Sequence, residues 1–203
     1  CTSALPQQII NCFPNEKVLK TGIKHGTVTL LLQGEPFELT TFRIDGDYTD
    51  NRHPDQVEFV SSIAEDLRRR DFTVNAMAYS PKRGLVDLFG GQQDLKDKRI
   101  RGVGNTAKRF EEDGLRILRA LRFAARYNFT LEEKTSKAVI EKKHLLNRIA
   151  KERIYKELAA IITAPFVKPI LLTYADVFAI CIPPLEPMFG FNQHNPHHCY
   201  DVW

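Results

Sequence analysis

Apolar positions behave differently in the two parts of this chain. Beyond Gly104 they recur every three to four residues, which predicts helices over 106–127, 132–145 and 151–163 and a weaker one over 167–180. Within the first of these, "KRFEEDGLRILRALRFAAR" spans 108–126. Turning each residue about 100° from the last puts Ile117, Leu118, Leu121, Ala124 and Ala125 on one face. Arg116, Arg119, Arg122 and Arg126 then crowd the opposite face, with Glu112 and Asp113 one turn earlier.

Before Gly104 the apolar runs are short and punctuated. Two β-rich runs, 28–33 and 37–44, are joined at Gly34-Glu35-Pro36, a hairpin signature. Strand alternation places Glu38, Thr40 and Phe42 on one side and Leu39, Thr41 and Arg43 on the other. The polar stretch 44–59, broken by Gly and Pro, reads as a mobile loop, and 62–69 as a helix. "DFTVNAMAYS" suits a strand or a buried helix, and 84–104 alternates short strands with Gly turns. The pattern predicts an α+β chain: a mixed α/β head over 1–104, a helical arm over 105–165, and a last segment, 166–203, whose "IPPLEPMFGFNQHNPHH" reads as a linker.

Composition narrows the choice of partner. Of 203 residues, 43% are hydrophobic and 27% charged, enough apolar matter for one large or two small domains. Lys and Arg total 29 against 25 Asp and Glu, a net +4 that permits nucleic-acid binding without requiring it. Cys1, Cys12, Cys181 and Cys199 form no CxxC pair, which suits free thiols in a reducing compartment. No apolar run approaches the ~18 residues of a membrane span, so a cytoplasmic location is expected.

Placement of the arginines says more than their number. A solvated helix face normally mixes lysine with arginine and alternates sign, whereas all four cationic positions of this stripe are arginine, whose planar fork suits phosphates and base edges. "DLRRRDFTVNAMAY" adds Arg68, Arg69, Arg70, Asp71 and Asn75, although an arginine cluster at a helix end also satisfies the helix dipole. Glu38, within a β-rich run, is either a metal ligand or acid/base group or simply a solvent-facing residue.

Taken in order, "TSALP", "TGIKHGTVTLLL", "FELTTFR", "RRDFTVNAMAY", "DLFGGQQDLKDKRIRGVG", "RFEEDGLRILRALRFAAR" and "AKERIYKEL" resemble the class II tRNA nucleotidyltransferases, the CCA-adding enzymes, and their relatives the bacterial poly(A) polymerases. The resemblance runs over about residues 1–163. It implies a nucleotidyltransferase-type head with a nucleotide-selecting helical neck, and template-independent addition of C and A to tRNA 3′ ends from CTP and ATP with Mg²⁺. By the same resemblance, Asp113 and Arg116 of "EDxxR", with Glu112 beside them, read the Watson–Crick edge of the incoming base. Arg119, Arg122 and Arg70 face the triphosphate. Asp71 and Asn75 position the ribose or support Arg70. Glu38 matches the third catalytic, metal-binding carboxylate.

The family's D-x-D pair is expected upstream of Cys1, so the chain by itself is expected not to catalyse transfer. The loop 44–59 is expected to act as a lever that helps the pocket switch from C to A. "NQHNPHHCYDVW" resembles the lead-in to an HD-type phosphohydrolase domain; a zinc cluster of His194, His197, His198 and Cys199 is the weaker reading. Two alternatives stay open: a poly(A) polymerase using ATP only, and an RNA-binding or HD-domain regulatory protein with a degenerate transferase head.

Overall fold

The computed structural model describes residues 1–46, 57–194, 197 and 203. Most of the loop reading at 44–59, and with it the lever, therefore lies outside the described residues. After a short helix α1 (Pro6–Cys12), strands β1 (Lys17–Leu19), β2 (Thr27–Leu32) and β3 (Glu35–Thr40) form an antiparallel sheet in the order β1-β2-β3. The hairpin turn sits one residue earlier than expected, at Gln33-Gly34, where both residues have positive φ (52° and 87°). Glu35 and Pro36 instead open β3, opposite Leu32 and Leu31. Proline is tolerated there because β3 is the last strand of this sheet.

The expected strand over 37–44 stops at Thr40. Thr41 is fully buried, bridges to Thr2, and donates its hydroxyl to the carbonyl of Ala4 (2.8 Å). This long-range contact ends the alternation, and β4 (Arg43–Asp45) pairs instead with β5 (Val57–Phe59). Next come α2 (Ile63–Arg68), a 3-10 turn at Thr73–Asn75, and the hairpin of β6 (Met77–Ser80) with β7 (Gly84–Asp87). "DFTVNAMAYS" is thus a tight turn running into a strand. A helix, α3 (Gly91–Lys96), stands where strands and Gly turns were expected. Its start is fixed by the Asp87 carboxylate, which accepts the N–H groups of Gly91 (2.8 Å) and Gln92 (2.9 Å).

Beyond β8 (Arg99–Ile100) the described residues are mainly helical. The single helix expected over 106–127 is two, α4 (Thr106–Glu112) and α5 (Leu115–Tyr127), separated by an extended Asp113 (φ −145°, ψ 103°) and Gly114. β9 (Thr130–Leu131) pairs in parallel with β8, followed by α6 (Glu133–Lys142), a 3-10 stretch to Arg148, and α7 (Lys151–Ile162). The weak segment over 167–180 is also split, into α8 (Val167–Thr173) and α9 (Ala175–Cys181), at Tyr174.

α5 is the centre of the molecule. Its apolar face falls where the periodicity placed it, with Ile117, Leu118, Leu121, Ala124 and Ala125 all buried. They share one core with Val139, Ile161, Val177 and Phe178, and with Phe72 and Ile100 from the mixed part of the chain. Each fully buried leucine or isoleucine is worth ~1.5–3 kcal/mol, so this face fixes the rotation of α5 and therefore the direction of its arginines. The architecture is α+β, as the sequence predicts. Among the described residues no helix is long and apolar enough to cross a membrane.

Candidate functional site

Gly114 sits at the break between α4 and α5. A Cβ there would lie 3.1 Å from the Leu145 Cβ and 3.3 Å from the Leu145 carbonyl oxygen, so a larger residue would need Leu145 to give way by a few tenths of an ångström. Asp113 has extended backbone and so stands outside the single helix on which the sequence placed it with Arg116. Its Oδ1 accepts the N–H of Leu115 (3.1 Å), as an N-cap residue does, and its Oδ2 accepts Arg153 Nη2 of α7 (2.9 Å).

The arginine stripe is compensated one residue at a time. Arg116 donates to Glu112 (2.9 Å) and to the carbonyls of Arg109 (3.1 Å) and Arg69 (3.4 Å). Arg119 donates twice to Asp71 Oδ2, from Nε (2.9 Å) and Nη2 (2.6 Å). Arg122 pairs with Glu157 (2.9 Å), whereas Arg126 is exposed. The guanidinium groups of Arg119 and Arg122 also lie 5.4 and 4.9 Å from the centre of the Phe123 ring. Burial pushes the Glu157 carboxyl above its ordinary pKa, and Asp113 adds to this. Arg122, Arg119 and Arg153 pull it down without fully offsetting the burial.

The residues after α2 meet this stripe from the other side. Asp71 Oδ1 accepts the N–H of Phe72 (2.8 Å) and the Asn75 amide (3.3 Å), so one carboxylate holds both the 3-10 turn and Arg119. Arg70 Nη2 donates to Asp66 (3.1 Å), while its buried Nε has no hydrogen-bond partner among the described residues. Burial alone raises the Asp66 pKa, but the charges and hydrogen bonds of Arg69 and then Arg70 outweigh it and hold the carboxyl below its ordinary value.

Together these groups line an open cavity of about 590 Å³, roomy enough for a nucleotide-sized ligand. Arg70, Asp71, Asn75, Asp113, Arg116 and Arg119 all contribute to it, from two segments almost forty positions apart. Glu112 stands behind Arg116 and lines a neighbouring cavity of about 460 Å³. Arg122 and Glu38 do not line the larger cavity; Glu38 is exposed on β3. The sequence reading gave no individual role to Arg153, Glu157, Phe123 or Asp66. Three of these had a visible signal: Arg153 and Glu157 lie four apart on α7, and Asp66 lies three and four residues before Arg69 and Arg70. Among the described residues no three His, Cys, Asp or Glu side chains are placed to hold a metal ion. His198 and Cys199 of the zinc reading lie outside those residues.

Residues 1–101 match the family described as "Poly A polymerase head domain", and residues 128–187 the one described as "Probable RNA and SrmB- binding site of polymerase A". The chain is 48% identical over 165 residues to a CCA-adding enzyme of Bacillus cytotoxicus, covering 81% of this chain and 41% of that protein. It is 50% identical over 156 residues to one of Lactobacillus helveticus, covering 77% and 39%. Its fold matches the Bacillus stearothermophilus CCA-adding enzyme in complex with CTP at a TM-score of 0.77 and 39% identity, over 86% of this chain and 41% of that one. It also matches the Thermotoga maritima CCA-adding enzyme complexed with tRNA at 0.70 and 30% identity, over 87% and 41%. The chain therefore spans about two-fifths of the length of these relatives.

Proposed function

The chain belongs to the family of CCA-adding enzymes and poly(A) polymerases, and from that premise we propose that the full-length protein adds C, C and A, without a nucleic-acid template, to the 3′ end of tRNA in the cytoplasm, using CTP and ATP. One observation carries the reading: the cavity sets the acceptor Asp113 and the donor Arg116 beside a group of arginines. Cytosine and adenine each present an exocyclic amine next to a ring-nitrogen acceptor, and a carboxylate beside a guanidinium complements that pair. Uracil and guanine place a carbonyl where the amine would be.

In this reading Asp113 accepts the exocyclic amine and Arg116, held by Glu112, donates to the ring nitrogen. Arg119 and Arg70 bind the triphosphate, with Arg122 continuing the positive potential from behind Phe123. Asp71 and Asn75 hold Arg119 and the ribose side of the pocket. Residues 1–104 form the head, 105–165 the selecting neck, and 166–203 lead toward an HD-type domain. For Mg²⁺ the described residues do not by themselves build a site. Glu38 is the one carboxylate of this chain we assign toward it.

The test uses full-length protein, a tRNA ending before its CCA, and each labelled triphosphate in turn. Two cytidines followed by one adenosine, with UTP and GTP refused, are expected. A long tail from ATP alone would make the protein a poly(A) polymerase, and RNA binding with no incorporation would favour the regulatory alternative.

A further inference from the structure

Asp66 is a fully buried carboxylate on α2 outside the set of groups assigned to the nucleotide. Both of its oxygens are spent on arginines that line the cavity. Oδ1 accepts Nε (3.1 Å) and Nη2 (2.7 Å) of Arg69, and Oδ2 accepts Nη2 of Arg70 (3.1 Å). Arg69 is held from its other side by Asp45 (3.4 Å), and its carbonyl oxygen receives Arg116 (3.4 Å). Arg70 is anchored differently. Among the described residues only its Nη2 is bonded, to Asp66 and to the Cys1 sulfur (3.3 Å), and its Nε has no partner there; its side chain is one-third exposed.

We propose that Asp66 is a positioning residue, one that aims Arg70 into the cavity with its remaining N–H groups turned toward the anionic part of a bound nucleotide. The proposal rests on the nucleotide-transfer reading above. An unanchored arginine samples many rotamers and must be ordered at the moment of binding. One fixed by a buried carboxylate has lost that freedom already, so its contact with a ligand is tighter. The geometry also requires a charge. Asparagine would keep the shape but offer one acceptor oxygen and point an NH₂ group at one of two guanidinium ions, releasing Arg69 or Arg70.

The experiment is steady-state kinetics of full-length enzyme with CTP and with ATP, for Asp66→Asn, Arg70→Ala and the double variant. KM should rise about tenfold for both nucleotides in Asp66→Asn, with kcat within about twofold, because a phosphate contact does not distinguish bases. In the Arg70→Ala background the Asp66 substitution should add less than about twofold to KM, since the group it positions is gone. The cycle is also run with Asp66→Glu, which keeps the charge but displaces it, so that it stays decisive if the asparagine variant does not fold. A structural role alone would lower the melting temperature and the active fraction while leaving KM unchanged. That outcome, or additive effects in the double variant, would overturn the proposal. Wild-type protein that binds no nucleotide would instead defeat the functional reading itself.

Discussion

Replacing Asp113 by alanine tests the site more sharply than any other single change, because the carboxylate has two structural bonds as well as a proposed role in reading the base. Its Oδ1 caps the first turn of α5 through the Leu115 N–H. An N-cap of this kind is worth about 1 kcal/mol. Its Oδ2 takes a charge-assisted bond from Arg153, with the two side chains only 16% and 23% exposed. Breaking that bond costs ~1.5–3 kcal/mol and leaves Arg153 in a cavity already rich in arginine. The loss totals ~3 kcal/mol, which for a chain of this length lowers Tm by about 6–12 °C.

Asparagine at the same position can keep the cap, but its single acceptor oxygen is then spent and an NH₂ faces Arg153, so that bond is lost and Tm should fall by about two-thirds as much, ~4–8 °C. Both melts can be followed by circular dichroism. In the full-length enzyme both variants should also relax discrimination against UTP and GTP, measured as ratios of kcat/KM. A Tm for Asp113→Ala within about 2 °C of wild type would refute the capping and ion-pair argument. Equal loss for all four nucleotides would refute base reading, leaving Asp113 as a purely structural hinge.

If Arg119 binds phosphate as proposed, Arg119→Ala should behave otherwise, weakening CTP and ATP about equally, by ~10-fold or more in KM. A change confined to one nucleotide would reassign it. Burial pushes the Cys181 thiol up to about 11, so at pH 8 it is almost entirely protonated and slow to react. An aromatic disulfide reagent at pH 8 should label the exposed Cys1 and Cys12 first and reach Cys181 only in denaturant or as the pH rises toward 11. Peptide mass spectrometry reads the order, and equal rates for Cys12 and Cys181 would contradict the buried environment.

Local periodicity made α5 legible, and a lack of local signal hid its beginning. The spacing of Ile117, Leu118, Leu121, Ala124 and Ala125 specifies the buried face by itself. The break at Asp113-Gly114 is invisible to that pattern because a helical phase can continue through one glycine, and the neighbour packed closely against Gly114, Leu145, lies 31 positions on. Strand β3 ends for the same kind of reason, at Thr41, whose partners are Thr2 and Ala4. α3 was missed because Gly90 and Gly91 read as a turn, and the Asp87 carboxylate that starts the helix lies in the preceding strand.

The stripe on α5 shows how far residue type carries and where pairing takes over. Four arginines with no alternating acid look like a free basic face. Half-buried guanidinium ions need nearby counter-charge, however, and it comes from afar: Asp71 for Arg119 and Glu157 for Arg122, with only Glu112 local to Arg116. These pairs do not close the site to an anion. A guanidinium has five N–H donors, and Asp71 accepts from two of the nitrogens of Arg119, so its other donors stay available. The carboxylates therefore cancel charge at long range, where it would attract any polyanion, while fixing the direction of the remaining N–H groups at short range. Selectivity for a ligand that places phosphate and base at set distances follows from that division, and a stripe of unpaired lysines would lack it.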